Sequence, residues 1–126
     1  MRKVHLPRTP EELWPVLDGE PGAAVYAGGT DLLVRMRAGQ LDPPALVCLE
    51  RMEIWCGVRE ESAALWLGAC TTLSELLRDE RVGRRLPLLA AAIAAIGSPQ
   101  IRNMGTLGGN LCTASPAGDS LPPLYV

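Results

Sequence analysis

Ala23-Ala24-Val25-Tyr26-Ala27-Gly28-Gly29-Thr30-Asp31-Leu32-Leu33 decides the reading of this chain: a small apolar strand over 23–27 breaks into paired glycines and reopens as a helix. Leu32, Leu33 and Met36 fall at helical spacing, and Gly39 stops the helix. Successive backbone N–H groups in such a turn form a concavity suited to anionic oxygens. Glycine leaves room for the ligand and adopts positive φ without strain. Taken alone, the loop is equally well read as an ordinary Gly-Gly turn capped by Thr30 or Asp31. It is neither a G-K-[ST] phosphate loop nor the G-x-G-x-x-G fingerprint.

Working outward, residues 3–6 form a strand candidate, and Thr9-Pro10-Glu11-Glu12 spells a helix start with a Thr cap, Pro at the first helical position and Glu three residues later. Pro15 removes a backbone donor, so the helix is predicted to kink there or to end before Gly19. Pro43-Pro44 precedes a third strand candidate, 45–49, which completes a small β-α-β-α-β unit over 1–50. From 51 to 126 the pattern changes. Strands at 54–58 and 64–68 flank the acidic turn Glu60-Glu61-Ser62, as in a hairpin. Thr72-Leu73-Ser74-Glu75 is a capping box, and an Ala-rich helix over 87–96 is closed by Gly97. After Ser98 the chain reads as loop. The fold class is mixed α+β, with 1–50 as a first subdomain and 51–126 as the start of a second.

Composition excludes several classes. Leu, Ile and Val supply 32 of 126 residues, enough for a core, so a disordered chain is excluded. Eleven of the twelve bases are Arg, yet the net charge is -2 and no basic stripe of the kind that binds nucleic acid emerges. The longest apolar run, 86–96, is far short of the roughly 20 residues that span a bilayer. No apolar segment follows the charged start, so a secretion signal is not expected and the cytoplasm is the expected compartment. Cys48, Cys56, Cys70 and Cys112 form no C-x-x-C pair, and His5 is the only histidine. They read as small, mostly buried thiols rather than metal ligands.

Gly105-Thr106-Leu107-Gly108-Gly109-Asn110 repeats the glycine device about eighty residues later, followed by Cys112, Thr113, Ser115 and Asp119. Hydroxyls and an amide donate to phosphates, and a carboxylate accepts from sugar hydroxyls or an amine. Two such loops suit a long diphosphate-bridged ligand gripped from both sides. The plainer alternative is a tight loop whose Asn110, Thr113 and Ser115 satisfy its own backbone.

Four segments together carry a resemblance: Ala27-Gly28-Gly29-Thr30-Asp31-Leu32, Leu67-Gly68-Ala69-Cys70-Thr71-Thr72, Ser98-Pro99-Gln100-Ile101-Arg102-Asn103, and Gly105 onward through Thr113-Ala114-Ser115-Pro116-Ala117-Gly118-Asp119. In this order they resemble the FAD-binding, or medium, subunit of molybdenum hydroxylases, the xanthine dehydrogenase, aerobic carbon monoxide dehydrogenase and 4-hydroxybenzoyl-CoA reductase group. The resemblance implies the first part of a two-subdomain, PCMH-type FAD-binding fold. It implies an FAD-dependent oxidoreductase subunit with two partners, a molybdopterin-containing large subunit and a [2Fe-2S] small subunit. Electrons would pass from the clusters through FAD to an external acceptor such as NAD or a quinone.

The resemblance also implies residue roles. Ala27, Gly28, Gly29, Thr30, Asp31 and Leu32 would wrap the pyrophosphate from one side, and Thr106, Gly108, Gly109 and Asn110 from the other. Cys112, with Ile96 and Gly97, would line the flavin pocket, Thr113 and Ser115 would extend the site, and Asp119 would bond the adenosine side. Members of this family run to more than twice this length. The chain is therefore expected to hold FAD weakly or not at all by itself and, with Leu121, Leu124, Tyr125 and Val126 as an apolar tail, to self-associate. The alternative is a non-catalytic assembly module that keeps this half of the fold without FAD.

Overall fold

The computed structural model describes residues 1–115 and 119–125. Three parallel strands, β1 (Lys3–His5), β2 (Ala24–Tyr26) and β3 (Ala45–Cys48), form a sheet in the order β1-β3-β2. The central strand pairs Val4 with Leu46 on one side and Val25 with Val47 on the other. All four residues of β3 are buried, which is why Ala-Leu-Val-Cys is continuously apolar rather than alternating. Leu13 of helix α1 (Pro10–Gly19) packs with Val47 and Met52 in a first core cluster. Helix α2 (Leu32–Arg37) follows β2 through the glycine pair.

The second part is built differently. An antiparallel hairpin, β4 (Val58–Glu61) and β5 (Ala64–Leu67), lies beside helices α3 (Leu73–Arg78), α4 (Glu80–Arg85) and α5 (Pro87–Ala95). Leu73, Leu76, Val82, Leu89, Ile93 and Leu107 form its core. Three further helices follow: α6 (Pro99–Met104), α7 (Leu107–Thr113) and α8 (Leu121–Leu124). Among the described residues, no helix is long and apolar enough to cross a membrane.

Four expectations need correction. Helix α1 runs through Pro15 to Gly19 rather than stopping early. The hairpin is displaced: a 3-10 turn occupies Glu53–Trp55, Glu60 and Glu61 are paired strand residues, and the turn falls on Ser62-Ala63, with Ser62 at φ 53°. The short helix α4 was not foreseen at all. The stretch after Ser98, read as loop, is helical because Ser98 and Thr106 each cap a helix, accepting from the N–H groups of Ile101 and Gly109 respectively. The apolar tail is partly covered, since α8 packs on α5, while Leu124 and Tyr125 are exposed. Val126 and Pro116-Ala117-Gly118 lie outside the described residues.

Candidate functional site

The two glycine segments meet. Gly28 sits against the end of α6, where a β-carbon on it would lie 1.8 Å from the Met104 carbonyl oxygen. Beyond this contact the second segment is laced to the α3 entry: the N–H of Leu73 donates to Gly105 O at 2.9 Å and that of Leu107 to Thr71 O at 3.1 Å. Gly68 completes the lacing, because a β-carbon there would lie 2.3 Å from Trp55 O. The buried Thr71 hydroxyl accepts from the N–H of Gly57 and lies 3.1 Å from Gly57 O, to which it donates. The Leu67 to Thr72 motif is therefore a clasp.

Between the two segments opens a cavity of about 370 Å³, within the size range of small-molecule sites. Ala27, Gly28, Gly29, Thr30, Asp31 and Leu32 line one side. Thr106, Gly109, Asn110, Cys112 and Thr113 line the other, with Ile96 from the end of α5. Gly29 has φ +70°, a conformation that favours glycine. Among the described residues, no protein acceptor takes the N–H groups of Gly28, Gly29, Thr30, Asp31 or Leu32. A run of uncommitted donors around a left-handed glycine has the geometry that suits an anionic oxygen.

Opposite, the Thr106 hydroxyl accepts from Gly109 N–H at 3.1 Å, and the Asn110 amide oxygen accepts from the buried hydroxyl of Ser120. The Asn110 amide nitrogen is thereby left as the free donor end of that side chain.

Not every expected residue reaches the cavity. Gly108 is absent from its lining; its N–H donates to Ala69 O at 2.8 Å, and a β-carbon on it would lie 2.7 Å from the same oxygen. It is glycine because helix α7 presses there on the 69–71 backbone. Ser115, Asp119 and Gly97 are also not among the lining residues, and Asp119 is exposed. Conversely, Arg35, Ile101 and Gly105 line the cavity; Ile101 and Gly105 lie in the quoted motifs, whereas Arg35 lies beyond them on α2 and carried no signal in the sequence.

Arg102 fastens the turn beside the cavity, donating to Ile96 O at 2.9 Å and Ala94 O at 3.3 Å at the end of α5. Asn103 accepts from the Ser74 hydroxyl at 2.6 Å, joining α6 to α3.

The thiols divide by environment. Cys48 and Cys70 are buried, Cys56 is partly buried and Cys112 is exposed in the cavity wall. Burial, aided by the neighbouring Cys56 and Cys48, pushes the Cys70 thiol up to about 11. Burial and a hydrogen bond with Cys48 push the Tyr26 phenol up to about 12.

A cleft between a parallel-sheet glycine turn and a second glycine-bearing helix start defines a nucleotide-binding α+β protein. All of residues 1–126 match the family described as the FAD binding domain in molybdopterin dehydrogenase, and the chain belongs to that family. It is 37% identical over 119 residues to the carbon monoxide dehydrogenase medium chain of Hydrogenophaga pseudoflava, a match covering 93% of this chain and 41% of that one. It is 34% identical over 112 residues to a xanthine dehydrogenase FAD-binding subunit of Escherichia coli O157:H7, covering 88% of this chain and 38% of that one. Its fold superposes on a chain of reconstituted CO dehydrogenase from Oligotropha carboxidovorans with a TM-score of 0.90 at 30% identity, covering 95% of this chain and 42% of the other. The chain thus spans about two-fifths of the length of these relatives, and FAD is the cofactor of its family.

Proposed function

We propose that this chain supplies the diphosphate-gripping part of an FAD site in a molybdenum hydroxylase-type oxidoreductase. The observation that carries the reading is the row of uncommitted N–H groups from Gly28 to Leu32, facing Thr106, Gly109 and Asn110 across one cavity. The first row receives the negative oxygens of the diphosphate without a lysine. Thr106 holds the start of α7 in place through its cap, and Asn110 offers an amide donor from the opposite wall. Cys112 and Ile96, with the adjacent Gly97, wall the flavin side, while Thr113, Ser115 and Asp119 extend toward the adenosine. When bound, FAD exchanges single electrons with iron–sulfur clusters and pairs of electrons with an acceptor such as NAD or a quinone.

The relatives named as a medium chain and an FAD-binding subunit support an assembly with a molybdopterin-containing large subunit and a [2Fe-2S] small subunit. Within it, residues 1–50 and 51–126 act as two subdomains that close on the cofactor, in the cytoplasm. Equilibrium titration of the purified chain with FAD, followed by flavin fluorescence, tests the reading. Saturable binding that is lost in Gly29→Val is the expected result. Absence of FAD uptake by the chain at any concentration, or unchanged affinity in Gly29→Val, overturns it.

A further inference from the structure

Arg35 is the only cation among the described residues lining the cavity, and Asp31 the only carboxylate. The two are one helical turn apart on α2, with the Arg35 Nη1 atom 3.7 Å from Asp31 Oδ2. That spacing is beyond direct hydrogen-bond length, and an exposed pair of this kind is weak. The Arg35 guanidinium donates to no acceptor among the described residues. Four other arginines are committed, Arg2 to Asp42, Arg81 to Asp79 and Val58 O, Arg85 to Glu60 and Ala63 O, and Arg102 to the end of α5, and among the described residues Arg35 is the arginine that lines this cavity. Arg35 therefore presents its planar fork of donors, half-exposed, at the rim of a concavity already lined with uncommitted N–H groups.

We infer that Arg35 is a specificity-determining residue of this site, reading the diphosphate of the ligand with its uncommitted guanidinium. This rests on the FAD reading and deepens it. A guanidinium matches two phosphate oxygens at once and is attracted to a doubly charged bridge far more than to an uncharged flavin. Arg35 thereby favours ligands with a diphosphate over riboflavin.

The test measures binding of FAD, ADP and riboflavin to the wild-type chain, Arg35→Met and Arg35→Lys, across a range of salt concentrations. Arg35→Met is expected to weaken FAD and ADP about ten-fold or more, to flatten their salt dependence, and to leave riboflavin unchanged. Arg35→Lys is expected to keep the salt dependence and recover part of the affinity. Equal affinity and salt dependence for FAD and ADP in wild type and Arg35→Met overturns the inference. So does an equal loss for riboflavin, which would make the residue merely structural. Arg35-dependent ADP binding without FAD binding sinks the flavin reading and sustains the role of Arg35. Binding of neither ligand by the wild type sinks both.

Discussion

The carbonyl group of Met104 fills the space a side chain on Gly28 would need, with only 1.8 Å between that oxygen and the position of a β-carbon. A backbone carbonyl at the end of α6 cannot swing aside as a flexible side chain would. Gly28→Ala is expected to force the two parts of the chain apart and to destabilise it by on the order of 3 kcal/mol. Urea unfolding followed by circular dichroism reads this directly, and an unchanged midpoint would show that the seam yields.

Gly83 offers the opposite case. It lies exposed inside α4, and a β-carbon on it would meet no atom within 4 Å. Gly83→Ala is expected to raise stability by about 1 kcal/mol, since alanine suits a helix interior and restricts the unfolded chain. A higher urea midpoint at constant slope is the outcome to look for.

Arg102 holds the last carbonyls of α5. Arg102→Met keeps much of the stem but removes both donors, so a loss of about 1 kcal/mol is expected. Hydrogen exchange should quicken around residues 93–97 in particular. Uniform change across the chain would argue against a local fastening.

The Arg81 guanidinium beside Asp79 holds its carboxyl below the usual carboxylate range, helped by the Arg81 N–H, which donates to it at the start of α4. A depressed acid in the folded state stabilises above its unfolded value, near pH 4, and that contribution disappears as pH falls through the lower folded value. Wild type is therefore expected to exceed Asp79→Asn in stability at neutral pH by a constant margin that shrinks below about pH 4. A margin that persists into strong acid would refute this origin.

The four thiols give a chemical map. Cys112 is expected to react with iodoacetamide well before the buried Cys48 and Cys70, the latter with its thiol raised to about 11 and hence little ionised. Bound FAD is expected to slow labelling of Cys112, because that side chain lines the cavity. Mass spectrometry of labelled peptides measures both effects. FAD bound without protection of Cys112 would separate the flavin from this wall.

The strand-helix alternation of the first fifty residues was legible because each turn is written in local chemistry. Thr9 caps α1 as read, although Glu12 reaches back to the Arg8 N–H rather than to the cap residue itself. At α3 the box is complete, with Thr72 and Glu75 bonding reciprocally. What escaped notice was short. Helices of six and seven residues, such as α6 and α7, have too few turns for periodicity, and the glycine pair inside α7 mimics a loop. The caps at Ser98 and Thr106 were the available signals. The glycine pair 108–109 also conceals a division of labour: Gly109 lines the cavity, while Gly108 serves contact with Ala69, a distinction set by tertiary packing alone.

The cavity has walls from residues 25–35 and 96–113, so neither stretch possesses the site until the two cores have docked across Gly28 and Met104. Ligand capture and docking are then a single thermodynamic event. A cofactor touching both walls adds about 2.7 kcal/mol to the docked state at a hundred times its dissociation constant, and nothing to either wall alone. With FAD in this cavity as proposed, cofactor supply becomes a variable of maturation: the thermal midpoint is expected to climb with FAD concentration, and cleavage at the seam by added protease to slow.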